Sequence, residues 1–161
     1  EAVVLSVPAA FDSVIEVGDT VLVHFNIFRS FYDIRGELVT SSTFFKDEKY
    51  FCDPSVLYAY KRNGEWKAFG HWCFVEPLFK ETKFEGLKEA EYTGCLTYDN
   101  EMLNKEGIFT GEIVGFRPNS EYEFVIDDRR LYCMKFYDIL FSYGRFKEDQ
   151  TRHYRRGKSR S

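Results

Sequence analysis

Short apolar and aromatic runs, each closed by a glycine, asparagine, proline or acidic turn, set the pattern of this chain. Val17-Gly18-Asp19 precedes a predicted strand at Thr20 to Phe25. Asn63-Gly64 lies between Val56 to Lys61 and Trp66 to Phe69. Asn-Gly takes positive φ at little cost, as a two-residue hairpin turn requires. Pro118-Asn119 leads into Tyr122 to Ile126, and Asp127-Asp128 turns the chain into Leu131 to Met134. Helical periodicity is weak, and helical turns are expected only near Glu85 to Glu91 and Glu101 to Glu106. Short strands at regular turns predict an all-β barrel or sandwich.

Comparison of the chain with itself divides it in two. Glu1-Ala2-Val3-Val4-Leu5 matches Gly94-Cys95-Leu96-Thr97-Tyr98, and Gly18-Asp19-Thr20-Val21 matches Gly111-Glu112-Ile113-Val114. Each half then has an aromatic strand, Lys49 to Cys52 and Arg130 to Met134. Each ends on an apolar one, Ser55 to Tyr58 and Tyr137 to Leu140. Between glycine turn and closing strand the first half is longer by about ten residues on this alignment, near Phe28 to Phe45. The second half opens on an extra strand, Trp72 to Leu78. Without a counterpart to it, the first half is expected to lack upstream residues and to be open, with unpaired N–H and C=O groups along its edge. The predicted organisation is a first barrel over 1–68, with a long aromatic hairpin at 25–48, a second over 69–145, and a basic disordered tail over 146–161.

Composition supports the β reading. Aromatic residues make up 19% of the 161 residues, and bulky rings suit a pleated, half-buried surface. A net charge of -4 gives no whole-chain argument for nucleic acid or an anionic membrane. No apolar run approaches the roughly 18 residues that a membrane span needs, and no secretory signal pattern occurs. Cys52, Cys73, Cys95 and Cys133 are widely spaced in apolar runs, which favours buried thiols over a zinc site. A reducing, cytoplasmic compartment is the corresponding expectation. His24, His71 and His153 have no His or Cys partner at ligand spacing, so no metal or other cofactor is expected. No nucleophile-elbow, metalloprotease or phosphate-loop motif is present. Asp47-Glu48 and Asp127-Asp128 read as turn residues. Nothing points to an enzyme.

With these elements in order, the second half resembles the ten-kilodalton co-chaperonins, the GroES-like family. The resemblance lies in the strand Cys73-Phe74-Val75-Glu76-Pro77, the strand Gly94-Cys95-Leu96-Thr97-Tyr98 and the turn Thr110-Gly111-Glu112-Ile113-Val114. It continues through Leu131-Tyr132-Cys133-Met134 to Asp138-Ile139-Leu140. In the first half, Val17-Gly18-Asp19-Thr20-Val21 is the better match to the glycine turn. The tandem arrangement is similar to GroES-like proteins of tailed bacteriophages, notably at 23–29, 60–68 and 114–124. The resemblance implies two tandem barrels in a homo-oligomeric ring, docking on a GroEL-type chaperonin in the infected bacterial cytoplasm to assist protein folding. It places a mobile docking loop at Phe79 to Glu91, with Phe84, Gly86 and Leu87 as contact residues. That segment is short and charged, and only Gly86-Leu87 resembles the family's apolar docking motif.

Two other readings are open. A phage structural or assembly protein could reuse the barrel without chaperonin binding. A single-strand-binding barrel could use Phe28, Arg29, Phe31 and Arg35, since aromatics interleaved with arginine can stack on bases. Nucleic acid is disfavoured, because few other basic residues lie near that segment. The basic tail, Arg152 to Ser161, suits either a solvated end or a contact with an acidic surface.

Overall fold

The computed structural model describes residues 1–9, 12–82 and 86–145, and the backbone of 155–156. The fold is all-β, with one short α-helix among the described residues, in two units, Glu1–Trp66 and Lys67–Ser161. Among the described residues no sheet closes on itself.

In the first unit, β1 (Ala2–Val3), β2 (Thr20–Val23), β7 (Leu57–Arg62) and β8 (Glu65–Ala68) form one sheet in that order. Asn63 and Gly64 both take positive φ between β7 and β8, the two-residue hairpin turn that the sequence predicts. Val21, Leu22, Ile27, Leu57, Ala59, Tyr60 and Trp66 are among its buried residues. The long hairpin expected over 25–48 is instead a 3₁₀ turn at Phe25–Phe28 and two short hairpins. These are β3 (Ser30–Tyr32) with β4 (Leu38–Thr40), and β5 (Phe44–Lys46) with β6 (Lys49–Tyr50). Ser41 and Thr43 break the run. Their hydroxyls bond each other at 2.7 Å, and Thr43 Oγ1 donates to the Ile27 carbonyl at 2.8 Å. Such local side-chain bonds compete with the ladder.

The second unit has the sheet order β12 (Tyr122–Ile126), β13 (Arg129–Lys135), β9 (Trp72–Thr82), β10 (Gly86–Tyr98), β11 (Glu112–Phe116) and β14 (Ile139–Arg145). Trp72 to Leu78 is a near-continuous apolar run, as a strand covered on both faces requires. One core cluster holds Cys73, Val75, Leu96, Leu103, Val114, Phe116 and Met134. Phe74, next along β9, instead packs edge-on to Tyr98 and Phe124. The helix α1 (Glu101–Lys105) stands where a helical turn is expected. Asn100 caps it, accepting from Leu103 N at 2.9 Å and donating to the Trp72 carbonyl at 3.0 Å. The other expected helical turn is absent. Gly86 to Glu91 is strand, because its backbone pairs with β9 from Thr82 back to Phe79. Within the tail, Arg155–Arg156 (β15) pairs with β9 at Phe79 and Leu78; the rest of 146–161 lies outside the described residues.

The internal repeat extends to backbone detail. Ala2 faces Val21 and Val3 faces Thr20, as Gly94 faces Val114 and Cys95 faces Ile113. Gly18 N donates to the Val4 carbonyl at 2.9 Å, and Gly111 N to the Leu96 carbonyl at 2.8 Å. The ladder shifts register between Leu22 and Val23, and again between Gly115 and Phe116. A 3₁₀ turn leads into each closing strand, at Pro54–Val56 and Phe136–Asp138. The counterpart of Gly94 is therefore Ala2, one residue later than the sequence alignment puts it. Counted from paired strand to glycine turn, the span from Gly94 to Gly111 is one residue longer than that from Ala2 to Gly18, and it carries α1. A one-residue slip would turn every side chain to the opposite face.

Candidate functional site

The segment expected to be a docking loop is the far end of the β9–β10 hairpin. Leu87 faces Glu81, Lys88 faces Lys80 and Glu89 faces Phe79. Thr82 Oγ1 donates to the Gly86 carbonyl at 3.1 Å, across the last described pair of the two strands. Gly86 sits at φ +72°, where a side chain would be strained. Leu87 is 54% exposed, an apolar side chain held in water at the end of an arm. Phe84 lies outside the described residues. The structure thus brings Gly86 and Leu87 together on a paired strand.

A bulge joins this arm to the rest of the sheet. Between Glu89 and Gly94 the pairing of β10 with β9 lapses, and Tyr92 takes φ +51°. Pairing resumes at Gly94, opposite Pro77. Proline has no ladder donor and is tolerated beside a bulge. A polar network braces the arm. Arg130 donates to Glu89 at 2.7 Å, to Glu123 at 2.8 Å and to the Tyr132 hydroxyl at 2.7 Å. The Tyr132 hydroxyl also donates to Glu89. Burial, and then the neighbouring Glu89 carboxylate, push the Tyr132 phenol well above its ordinary value, so it stays a donor. Sequence inspection misses this network, since Glu89 is 41 positions from Arg130 and only the order of strands brings them together. The like-facing cross-strand pair Glu123 and Tyr132 is the one local signal.

The residues of the nucleic-acid reading are divided. Arg29 lies over the Phe31 ring at 6.0 Å. Phe28 is edge-on to Tyr50 at 5.0 Å, which occupies part of its surface. Arg35 sits in the turn between β3 and β4, its backbone N–H bonded to Asp33 at 2.8 Å. Three cations and four anions lie between Phe25 and Glu48, so the surface offers phosphates no net attraction.

The remaining candidate groups have local roles. His24 accepts from Asn26 N at 3.2 Å and stacks on Phe25; His71 stacks on Phe136. Asp47-Glu48 and Asp127-Asp128 form two-residue turns with positive φ throughout. Among the described residues no group of three His, Cys, Asp or Glu is placed to hold a metal, and no helix is long and apolar enough to cross a membrane.

Cys73, Cys95 and Cys133 are buried, and Cys52 is exposed. Burial pushes the Cys73 thiol up to about 12 and raises Cys133 as well. Partial shielding of its sulfur, with Asp53 beside it, also raises Cys52. Titration of the native protein with a thiol reagent should therefore read one accessible cysteine, with a rate that keeps rising with pH beyond the ordinary thiol range, and the other three appearing only in denaturant.

No family model, curated protein or solved structure matches this chain.

Proposed function

We propose that this chain is a co-chaperonin-like protein of the phage type. It would carry two tandem GroES-like barrels per subunit, assemble into a homo-oligomeric ring, and dock on a GroEL-type chaperonin to assist folding. It uses no catalytic residue and no cofactor, and ATP turnover belongs to the chaperonin. The observation that carries this reading is the repeated unit. Glycine turn, bulge, 3₁₀ turn and closing strand recur at matched registers in the two units, and the sequence motifs that resemble the GroES-like family lie along these elements. The exposed Leu87 at the end of the β9–β10 arm supports a docking role.

A buried aliphatic side chain contributes about 1.5–3 kcal/mol, so one arm binds weakly and a ring of them binds by avidity. The test is to mix the protein with a bacterial chaperonin and ATP, and to look for capped particles by electron microscopy. Capped particles are expected. Leu87→Asp should weaken capping by at least about tenfold without changing the thermal midpoint, because Leu87 is exposed. If the protein forms rings but never caps, the structural or assembly reading takes its place. One observation favours that second reading: Gly86 to Glu89 are paired with Phe79 to Thr82, so these residues of the expected docking segment are held in a ladder in the free chain.

A further inference from the structure

The β3–β4 hairpin of the first unit is a sheet of its own, and among the described residues it pairs with no third strand. Every residue of both strands is exposed, Phe31, Tyr32, Leu38 and Val39 included. Phe31 faces Val39 and Tyr32 faces Leu38, so each face of the ribbon carries one apolar pair. Such a ribbon is marginally stable in water until another strand or a covered face is added. The neighbouring β5–β6 hairpin is secured by rings, with Tyr50 edge-on to both Phe28 and Phe44.

The backbone shows what the outer edge of β4 offers. Asp33 N donates to the Glu37 carbonyl at 2.9 Å, at the turn end of the ladder. Bonded and non-bonded pairs alternate along an antiparallel ladder. Phe31 and Val39 therefore bond each other, and Leu38 and Thr40 direct their N–H and C=O groups away from β3. From Leu38 to Thr43 the chain has no charge and no proline, the residues that commonly guard an edge. The edge strands β8, β12 and β14 carry such a guard, at Lys67, Glu123 and Arg145, and β3 lies between Arg29 and Asp33.

We propose that β4 pairs with β4 of a second copy of this chain, antiparallel about a two-fold axis at Val39. In that register Leu38 faces Thr40 of the second copy, and Thr40 faces Leu38 of the second copy. The outward groups of both residues then meet each other as bonded pairs. Val39 meets Val39 of the second copy in the closer, non-bonded pair between them. The two ribbons become one sheet, with Phe31 and Val39 of both copies in a row on one face. The edge complements itself, as a two-fold contact requires. Charge agrees with this partner. Arg29 and Arg35 balance Asp33 and Glu37, and Glu37 faces the uncharged Ser41, so no like charges are opposed. That balance gives phosphates no net attraction, and the charges of Asp33, Arg35 and Glu37 beside Ile34 oppose entry of the tip into lipid. The contact is independent of chaperonin docking.

The test is sedimentation of the full chain, with hydrogen exchange read at Leu38 and Thr40. Association that rises with concentration is expected, and exchange at both amides should slow with it by about tenfold or more. Thr40→Pro removes an N–H that β3 does not use, which an edge strand tolerates. This variant should keep the thermal midpoint and lose the slowed exchange at Leu38. Val39→Lys sets like charges opposite each other at the axis and should weaken association by at least about tenfold, as should Val39→Glu. An equimolar mixture of these two variants should restore it, because only a two-fold contact brings position 39 against itself. A chain that stays monomeric at about 1 mM would overturn the proposal, as would a mixture that associates no better than either variant. Rings in which Leu38 and Thr40 exchange freely would also overturn it, and would leave the ring reading standing.

Discussion

Replacing Gly94 by alanine is expected to unfold the second unit at a markedly lower temperature. A Cβ at Gly94 would lie 2.2 Å from Val75 Cγ1 and 2.7 Å from the Glu76 carbonyl oxygen. Neither distance is tolerable, and the second involves backbone of a central strand. Overpacking typically costs about 1–3 kcal/mol, and a clash with fixed backbone belongs at or above the top of that range. For a domain of this size each kcal/mol moves the midpoint by roughly 4–8 °C, so a fall of more than about 12 °C should appear in a thermal scan. Val75→Ala in the same chain removes the closer contact and leaves the carbonyl clash. The double variant should therefore recover only part of the loss. A Gly94→Ala protein that melts with the wild type would show that β9 and β10 do not approach this closely.

Arg62→Met should have the largest effect in the first unit. Asp19 is buried beside the glycine turn. Arg62 grips both of its oxygens, Nε to Oδ1 at 2.9 Å and an Nη to Oδ2 at 2.7 Å. The same guanidinium reaches Glu16 at 2.8 Å and the Val14 carbonyl at 2.6 Å. Methionine keeps much of the stem and leaves Asp19 without its cation. Breaking a buried pair costs about 3–5 kcal/mol. Arg62 is partly exposed, so the loss should fall short of that of a fully buried pair, read as a lower urea midpoint with faster hydrogen exchange on the β2 and β7 amides. Adding Asp19→Asn should restore part of it, since the cost lies chiefly in the unpaired charge.

The pH dependence has a definite sign. The Arg62 bonds hold the Asp19 carboxyl below its ordinary value, outweighing burial. Asp19 thus contributes stability that is complete above the ordinary carboxylate range, near pH 4, and is lost as pH falls through its lowered value. The gap between wild type and Arg62→Met should be full at pH 7 and close progressively below pH 4. A gap that stays constant down to pH 2 would show that Asp19 is not the group responsible.

Much of the architecture could be read from local chemistry. Asn63-Gly64 and Asp127-Asp128 mark their hairpins because those residues accept left-handed backbone at little cost. The glycine turns at Gly18 and Gly111 stand at φ +93° and +92° in matching places, and they identified the repeat. The run Trp72 to Leu78 announced a strand, and the structure buries it on both faces. The helical turn expected near Glu101 to Glu106 is α1, whose first turn the Asn100 side chain caps. The sequence by itself therefore determined the β class, the two-fold repetition and the turns, because each depends on residues within a few positions of one another.

Tertiary structure decided the rest. Gly86 to Glu91 has charges that suit a helical turn, and it is strand because β9 offers it a ladder. The expected long hairpin divides because Ser41 and Thr43 find hydrogen-bond partners in each other and in Ile27. The one-residue offset between Ala2 and Gly94 follows from the pairing with β2 and β11, which composition along the strand does not encode. Glu89, Arg130 and Tyr132 meet only because β10 and β13 flank the same strand. The same strand order buries Cys95, Leu131 and Cys133, whereas Val3 and Phe51 in the first unit are exposed, where among the described residues β1 pairs with β2 and β6 with β5.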